Sequence, residues 1–130
     1  MDMGSNWVGT YMLDERGEPM PVPTIPWGLW FETSGQQRLV ARNMVGLKVI
    51  STIFLGLDHD FLGIDDPLTY RPILWETAIF WEGGESKSEC VSIAKRYRSK
   101  QEALEGHQAV VEEEMRKYAR EHAAASERGF

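Results

Sequence analysis

The sequence predicts an α+β domain in which an antiparallel β-sheet of about four to five strands packs against one long C-terminal helix. Three observations lead there. Two stretches, 47–57 and 72–81, alternate with the period of two that marks strands. No long helical pattern lies between them, so a parallel crossover is excluded and the pairing is antiparallel. The chain then closes on a capping box followed by apolar positions at helical spacing.

Taken in order, residues 6–13 are aromatic and β-branched and read as a short strand, with a turn at Asp14–Glu18. Four prolines follow, at 19, 21, 23 and 26; they exclude a helix and a central strand there and predict an extended surface segment over 14–26. Trp27 to Phe31 allows a helical turn. A hairpin comes next, with arms at 38–43 and 47–57 and its bend at Met44–Gly46. On the second arm Leu47, Val49, Ile53, Leu55 and Leu57 share one face, and Ile50, Thr52 and Phe54 the other, as in a central strand covered on both sides. A loop rich in Asp, Gly and Pro spans 58–71. Strand pattern resumes over 72–81, breaks at Gly83-Gly84, and returns over 89–98. Ser99-Lys100-Gln101-Glu102 is the capping box, opening a helix over 99–119 that should pack through Leu104, His107, Val111 and Met115. Gly106 would let that helix approach the sheet closely. Residues 1–5 and 123–130 are expected to fray.

A chain of 130 residues suits one domain able to bury a sizeable core, with residues 1–130 forming a single unit. The net charge of −6 equals that of residues 51–94, where eight acidic side chains face two basic ones. A nucleic-acid binder needs clustered Lys and Arg, so direct nucleic-acid binding is not expected. The single cysteine, Cys90, precludes an internal disulfide and favours a reducing compartment; lying in a strand, it reads as a buried, inert thiol. The first residues lack a signal-peptide pattern, and no apolar run reaches bilayer length, so a cytoplasmic protein without membrane contact is expected.

Glycine-rich phosphate loops, Cys-x-x-Cys pairs and the Gly-x-Ser-x-Gly elbow are absent, and no cofactor or metal is expected. A looser set remains: Asp58 and His59 at the end of the long strand, Glu76 within an apolar strand face, and His107 on the apolar stripe of the helix. Converging around a pocket, these four would make an acid–base pair or a metal site. Buried apart, His107 is a hydrogen-bonded core histidine and Asp58 a turn cap. The other feature is aromatic: Trp27, Trp30, Phe31, Trp75 and Trp81, with Trp75 and Trp81 on one strand face; these rings read first as core packing, and on an outer face they would form a patch for a partner. With Asp60, Asp65 and Asp66 concentrated in one loop, Trp75 and Trp81 define a candidate face for a basic protein partner; a homo-oligomer is also compatible.

Residues 51–59 (STIFLGLDH), 75–80 (WETAIF), 96–99 (RYRS) and 102–107 (EALEGH), together with Tyr11–Asp14 and Trp30–Glu32, resemble a family of small uncharacterised proteins of tailed phages and prophages. Those proteins read like STVFLGLDH, LFETMVF and RYSTWEEALAGH. The likeness covers most of 11–111; the loop over 60–72 and the extended C-terminus depart from it. It implies a phage origin and no established activity. By analogy with small acidic phage domains, the expected function is that of an accessory protein that binds a host protein, as inhibitors of host defence such as anti-CRISPR proteins do. An enzyme built on the four polar residues, or a phage structural or packaging component, are the alternatives.

Overall fold

A computed structural model describes residues 9–59, 70–81 and 90–127. Strand β1 (Tyr11–Leu13) pairs antiparallel with β2 (Pro19–Pro21). The Asp14 carboxylate closes their turn by accepting from the backbone N–H groups of Arg16 at 2.8 Å and Glu18 at 2.9 Å. Helix α1 (Thr24–Thr33) and a single turn, α2 (Gly35–Arg38), lead into β3 (Leu39–Val45). Strands β4 (Lys48–Phe54), β5 (Trp75–Trp81) and β6 (Cys90–Tyr97) complete a four-stranded antiparallel sheet in the order β3-β4-β5-β6. Helix α3 (Lys100–Glu127) lies across one face of all four strands. The antiparallel sheet under one long C-terminal helix is the architecture expected from the sequence, and β4 is an inner strand, but among the described residues α3 covers only one of its faces; on the other Ser51 and Ile53 are half-buried.

Four local features differ from expectation. The prolines do not exclude a helix: Pro26 stands in the first turn of α1, where its missing N–H has no intrahelical partner to lose. The first helical bond runs from Trp27 N–H to the Pro23 carbonyl, at 3.1 Å. Pro19 and Pro21 occupy a two-stranded ribbon, where edge positions tolerate them. Second, the hairpin bends at Gly46-Leu47, because Val45 pairs with Lys48. Gly46 has φ 59 and no non-glycine residue has positive φ among those described, the pattern of a type II′ turn. Third, α3 runs to Glu127, well past 119. Fourth, Leu104 and Met115 face outward; the inward line is Ala103, Gly106, His107, Val111 and Glu114. At the first turns of α3 the ring of Tyr97 sits against Gly106, so only small side chains fit beneath, and Leu104 is turned to the flank.

The core sits between the sheet and α3. At one end Phe54 is fully buried, 5.3 Å from the Trp75 ring and 6.1 Å from Trp30, with Tyr11, Leu74 and Ala103 around it. Toward the hairpin, Ile50, Ile79, Val45 and Val111 form a second cluster. The first half of the capping box forms as expected, the Glu102 backbone N–H donating to Ser99 Oγ, while the Glu102 carboxylate accepts from that same hydroxyl, each at 3.1 Å. The expected strand residues 6–8, the Gly83-Gly84 break, Glu89, and Asp60, Asp65 and Asp66 lie outside the described residues.

Candidate functional site

The helix-facing side of the sheet carries a polar residue on every strand. Strands β4 and β5 place a threonine between two large apolar neighbours: Ile50-x-Thr52-x-Phe54 and Trp75-x-Thr77-x-Ile79. Direct pairing of Thr52 with Thr77 brings the hydroxyls to 2.5 Å, both fully buried. Thr77 continues to the Tyr97 phenol on β6 at 2.9 Å. Thr52 continues to Nδ1 of His107 at 2.7 Å, and Nε2 of the same ring lies 2.7 Å from Oδ1 of Asn43 on β3. The result is one row: Asn43, His107, Thr52, Thr77, Tyr97. Burial pushes the His107 pKa down and that of Tyr97 up, so both groups are held neutral.

Asn43, His107 and Thr52 have the connectivity of a catalytic triad: an orienting amide, an imidazole and a hydroxyl. Access decides against that role. Thr52 is 0 % exposed, and its oxygen is occupied on its far side by Thr77, so no electrophile can approach. The row satisfies buried polar groups and ties α3 to the sheet.

The four polar candidates are not brought together. His107 is on the helix-covered face. Glu76 is paired in register with Ile53 and lies on the opposite face from Thr77, where its carboxylate accepts from Arg96 Nε at 3.0 Å. Asp58 is buried beyond the end of β4, accepting from the Ile73 backbone N–H at 2.9 Å and from the Tyr70 hydroxyl. Together with burial, its charge helps push the Tyr11 phenol up to about 12. His59 is exposed, and its backbone N–H donates to the Ile73 carbonyl at 3.1 Å. Asp58 is therefore a staple between the chain leaving β4 and the chain entering β5. Among the described residues no group of three His, Cys, Asp or Glu side chains is placed to hold a metal ion.

The aromatic candidates also divide. Trp75 and Trp81 do share a face, but it is the helix-covered one. Trp75 is core, 4 % exposed, whereas Trp81, beyond the last buried layer, is 46 % exposed. Around Trp81 opens a cleft of about 500 Å³ between the hairpin tip and the later turns of α3. Leu47 and Tyr118 bring exposed apolar surface to it. Tyr118 lies directly over the turn, since a Cβ on Gly46 would meet its ring at 2.6 Å; the His122 ring stacks on Tyr118 with centroids 3.8 Å apart. Along its side, the buried Glu114 carboxylate accepts from the partly exposed Lys48 at 3.1 Å and Lys117 at 3.4 Å, and the Lys48 ammonium stands 5.6 Å over the Trp81 ring.

Of this cleft only Trp81 was among the candidates read from the sequence. Leu47, Glu114, Tyr118 and His122 come together through the extension of α3 alongside the hairpin, a long-range relation with no spacing signature. The threonines had a signal: a hydroxyl centred in an apolar strand face on both of two adjacent strands.

No described helix is long and apolar enough to cross a membrane. Comparison with protein-family models, curated proteins and solved structures finds no match to this chain.

Proposed function

We propose that this chain acts by binding another protein and that the Trp81–Tyr118 cleft is where the partner's anchoring side chain is seated. One observation carries the reading. The cleft joins exposed tryptophan, tyrosine and leucine surface around an open volume, whereas the polar side chains that chemistry would need are buried or held apart. Buried aromatic anchors contribute most of the energy at protein interfaces, and a rim of charge orients the approach. Lys48, Lys117 and Glu121 supply such a rim.

The biological setting follows from the family resemblance: an accessory protein of a phage or prophage, acting in the cytoplasm of its bacterial host on a host protein, as inhibitors of defence systems do. In this reading the charge of Asp60, Asp65 and Asp66 attracts a basic partner at long range: their flanks, His59 and Tyr70, lie beyond the Phe54–Trp75 end of the sheet, whereas the cleft is at the Lys48–Trp81 end; Trp75 supports the fold rather than the contact.

Affinity capture of the tagged protein from the host, followed by binding measurements with the captured partner, tests the proposal. Trp81→Ala should weaken binding by about 2 kcal/mol or more, roughly thirtyfold. Replacing the three loop aspartates by Asn should slow association about tenfold at low salt and leave dissociation unchanged. Full affinity in Trp81→Ala would remove the cleft from the interface. A turnover reaction abolished by His59→Ala or His107→Ala in a folded variant would replace the binding reading with an enzymatic one.

A further inference from the structure

The row beneath α3 has a direction; Thr52, Thr77, Tyr97 and His107 are buried, and Asn43 closes it at the exposed edge strand β3. Asn43 turns a carbonyl oxygen toward the imidazole, so Nε2 of His107 carries a proton and donates. Burial disfavours the charged ring, so Nδ1 is bare and accepts from the Thr52 hydroxyl. With that proton engaged, Thr52 accepts from Thr77, and Thr77 in turn accepts from the Tyr97 phenol. Each proton points the same way, from β6 toward β3.

A second proton on the ring conflicts with this order. Nδ1–H would have to donate to Thr52, turning the Thr52 proton toward Thr77 and the Thr77 proton toward Tyr97. The Tyr97 proton would then have no place in the row. The surroundings give the imidazolium little compensation. On β4 the charge facing α3 is Lys48, already joined to Glu114 of α3. On β6 it is Lys95, whose ammonium stands 5.8 Å over the Tyr97 ring. Arg42 on β3 and Glu76 on β5 pair in register with Ser51 and Ile53 and project from the other face. Glu102 and Glu105 of α3 line the small cleft beside Tyr97. Both ring nitrogens are bonded to neutral groups.

We propose that the Tyr97–Thr77–Thr52–His107–Asn43 row is a pH-sensitive latch that holds α3 on the sheet while His107 is neutral and releases it when His107 takes up a proton. Release removes the helical wall of the Trp81–Tyr118 cleft. That consequence for binding rests on the cleft being the partner site, and the latch does not.

The test uses the full chain labelled with ¹⁵N-histidine, titrated from neutral to acid pH. Nitrogen shifts report the His107 tautomer and its titration, while amide exchange compares α3 residues 103–118 with β4. At neutral pH His107 should be the Nε2–H tautomer, and it should titrate below its ordinary value of about 6.5. Below that pH, α3 exchange corrected for its intrinsic rate should accelerate by up to about tenfold per pH unit, the limit for one proton. His107→Gln, which can donate to Asn43 without titrating, should abolish the acceleration. An Nδ1–H tautomer, titration at or above the ordinary value, or equal acceleration in His107→Gln would overturn the latch. If His107→Gln does not fold, the wild-type tautomer and titration decide. Trp81→Ala should leave all these readouts unchanged and lose only partner binding, so the latch and the cleft fail separately.

Discussion

Replacing Gly106 by Ala should destabilise the protein, although the same change in an open helix stabilises it. In a helix interior, alanine is favoured over glycine by about 0.8–1 kcal/mol. Here the added methyl would fall on the ring of Tyr97. That ring is 3 % exposed and tethered through its hydroxyl to Thr77 at 2.9 Å. It has two responses. Either α3 lifts from the sheet, an overpacking strain of about 1–3 kcal/mol, or the ring swings aside and the phenol bond is lost as well, about 0.5–1.5 kcal/mol more. Subtracting the helix gain of about 1 kcal/mol leaves a net loss of about 0–2 kcal/mol in the first case and about 0.5–3.5 kcal/mol in the second. Gly28 provides the control: it is mid-helix in α1, and a Cβ there would meet nothing within 4 Å. Urea melts of the two variants should therefore shift in opposite directions, Gly28→Ala upward by up to about 1 kcal/mol and Gly106→Ala downward. Stabilisation in both would show that Tyr97 does not press on the helix and would refute the close approach.

Other perturbations follow from the same packing. Phe54→Ala should cost about 3–5 kcal/mol in denaturant melts, since the ring is fully buried between Trp30 and Trp75; a loss under one kilocalorie would misplace the core. Leu104→Ala should cost less than about half a kilocalorie, as expected for an exposed flank position, whereas Val111→Ala should cost more than about 1 kcal/mol. The Tyr11 phenol is raised from 10.0 to about 12 by burial and then by Asp58. Its contribution is therefore complete below pH 10 and lost as pH climbs toward 12, at most about 1.4 kcal/mol per pH unit. Urea midpoints that do not fall over that window would contradict it.

The local physics of strands and caps was readable in the sequence. Alternation over 47–57 and 72–81 identified two neighbouring strands, and Ser99 with Glu102 marked the start of α3 to within a residue. Gly106 announced close contact between helix and sheet. The misreadings came from forces that act between elements. Pro26 looked like a helix breaker because its position in the first turn depends on where α1 begins. Leu104 and Met115 looked like core because the apolar stripe is wide, and only the Tyr97 ring decides which edge faces in. Trp81 reads either as core or as part of an outer patch because strand parity separates two faces without saying which one the helix covers. His107 was recognised as either a satisfied core histidine or a catalytic group. Choosing between them required its partners Asn43 and Thr52, which lie 64 and 55 positions away along the chain.

The placement of one polar member on each of the four strands also constrains how the sheet can assemble. Sliding β4 or β5 by a single residue reverses which side chains face the helix. Thr52 or Thr77 would then leave the interior, and His107, Tyr97 or the other threonine would be left with a buried, unanswered hydrogen bond. Each such vacancy costs about 1–3 kcal/mol. A row of purely aliphatic residues would tolerate the same slip with little more than repacking. Five interlocking polar groups thus act as a checksum on the hairpin pairings, penalising misaligned sheets that hydrophobic burial alone would barely distinguish. A variant with both threonines changed to valine would strip His107 Nδ1 and the Tyr97 hydroxyl of their partners in the row, so it should lose about 1–3 kcal/mol for each and fold with less fidelity, visible as extra resonances for β4 and β5.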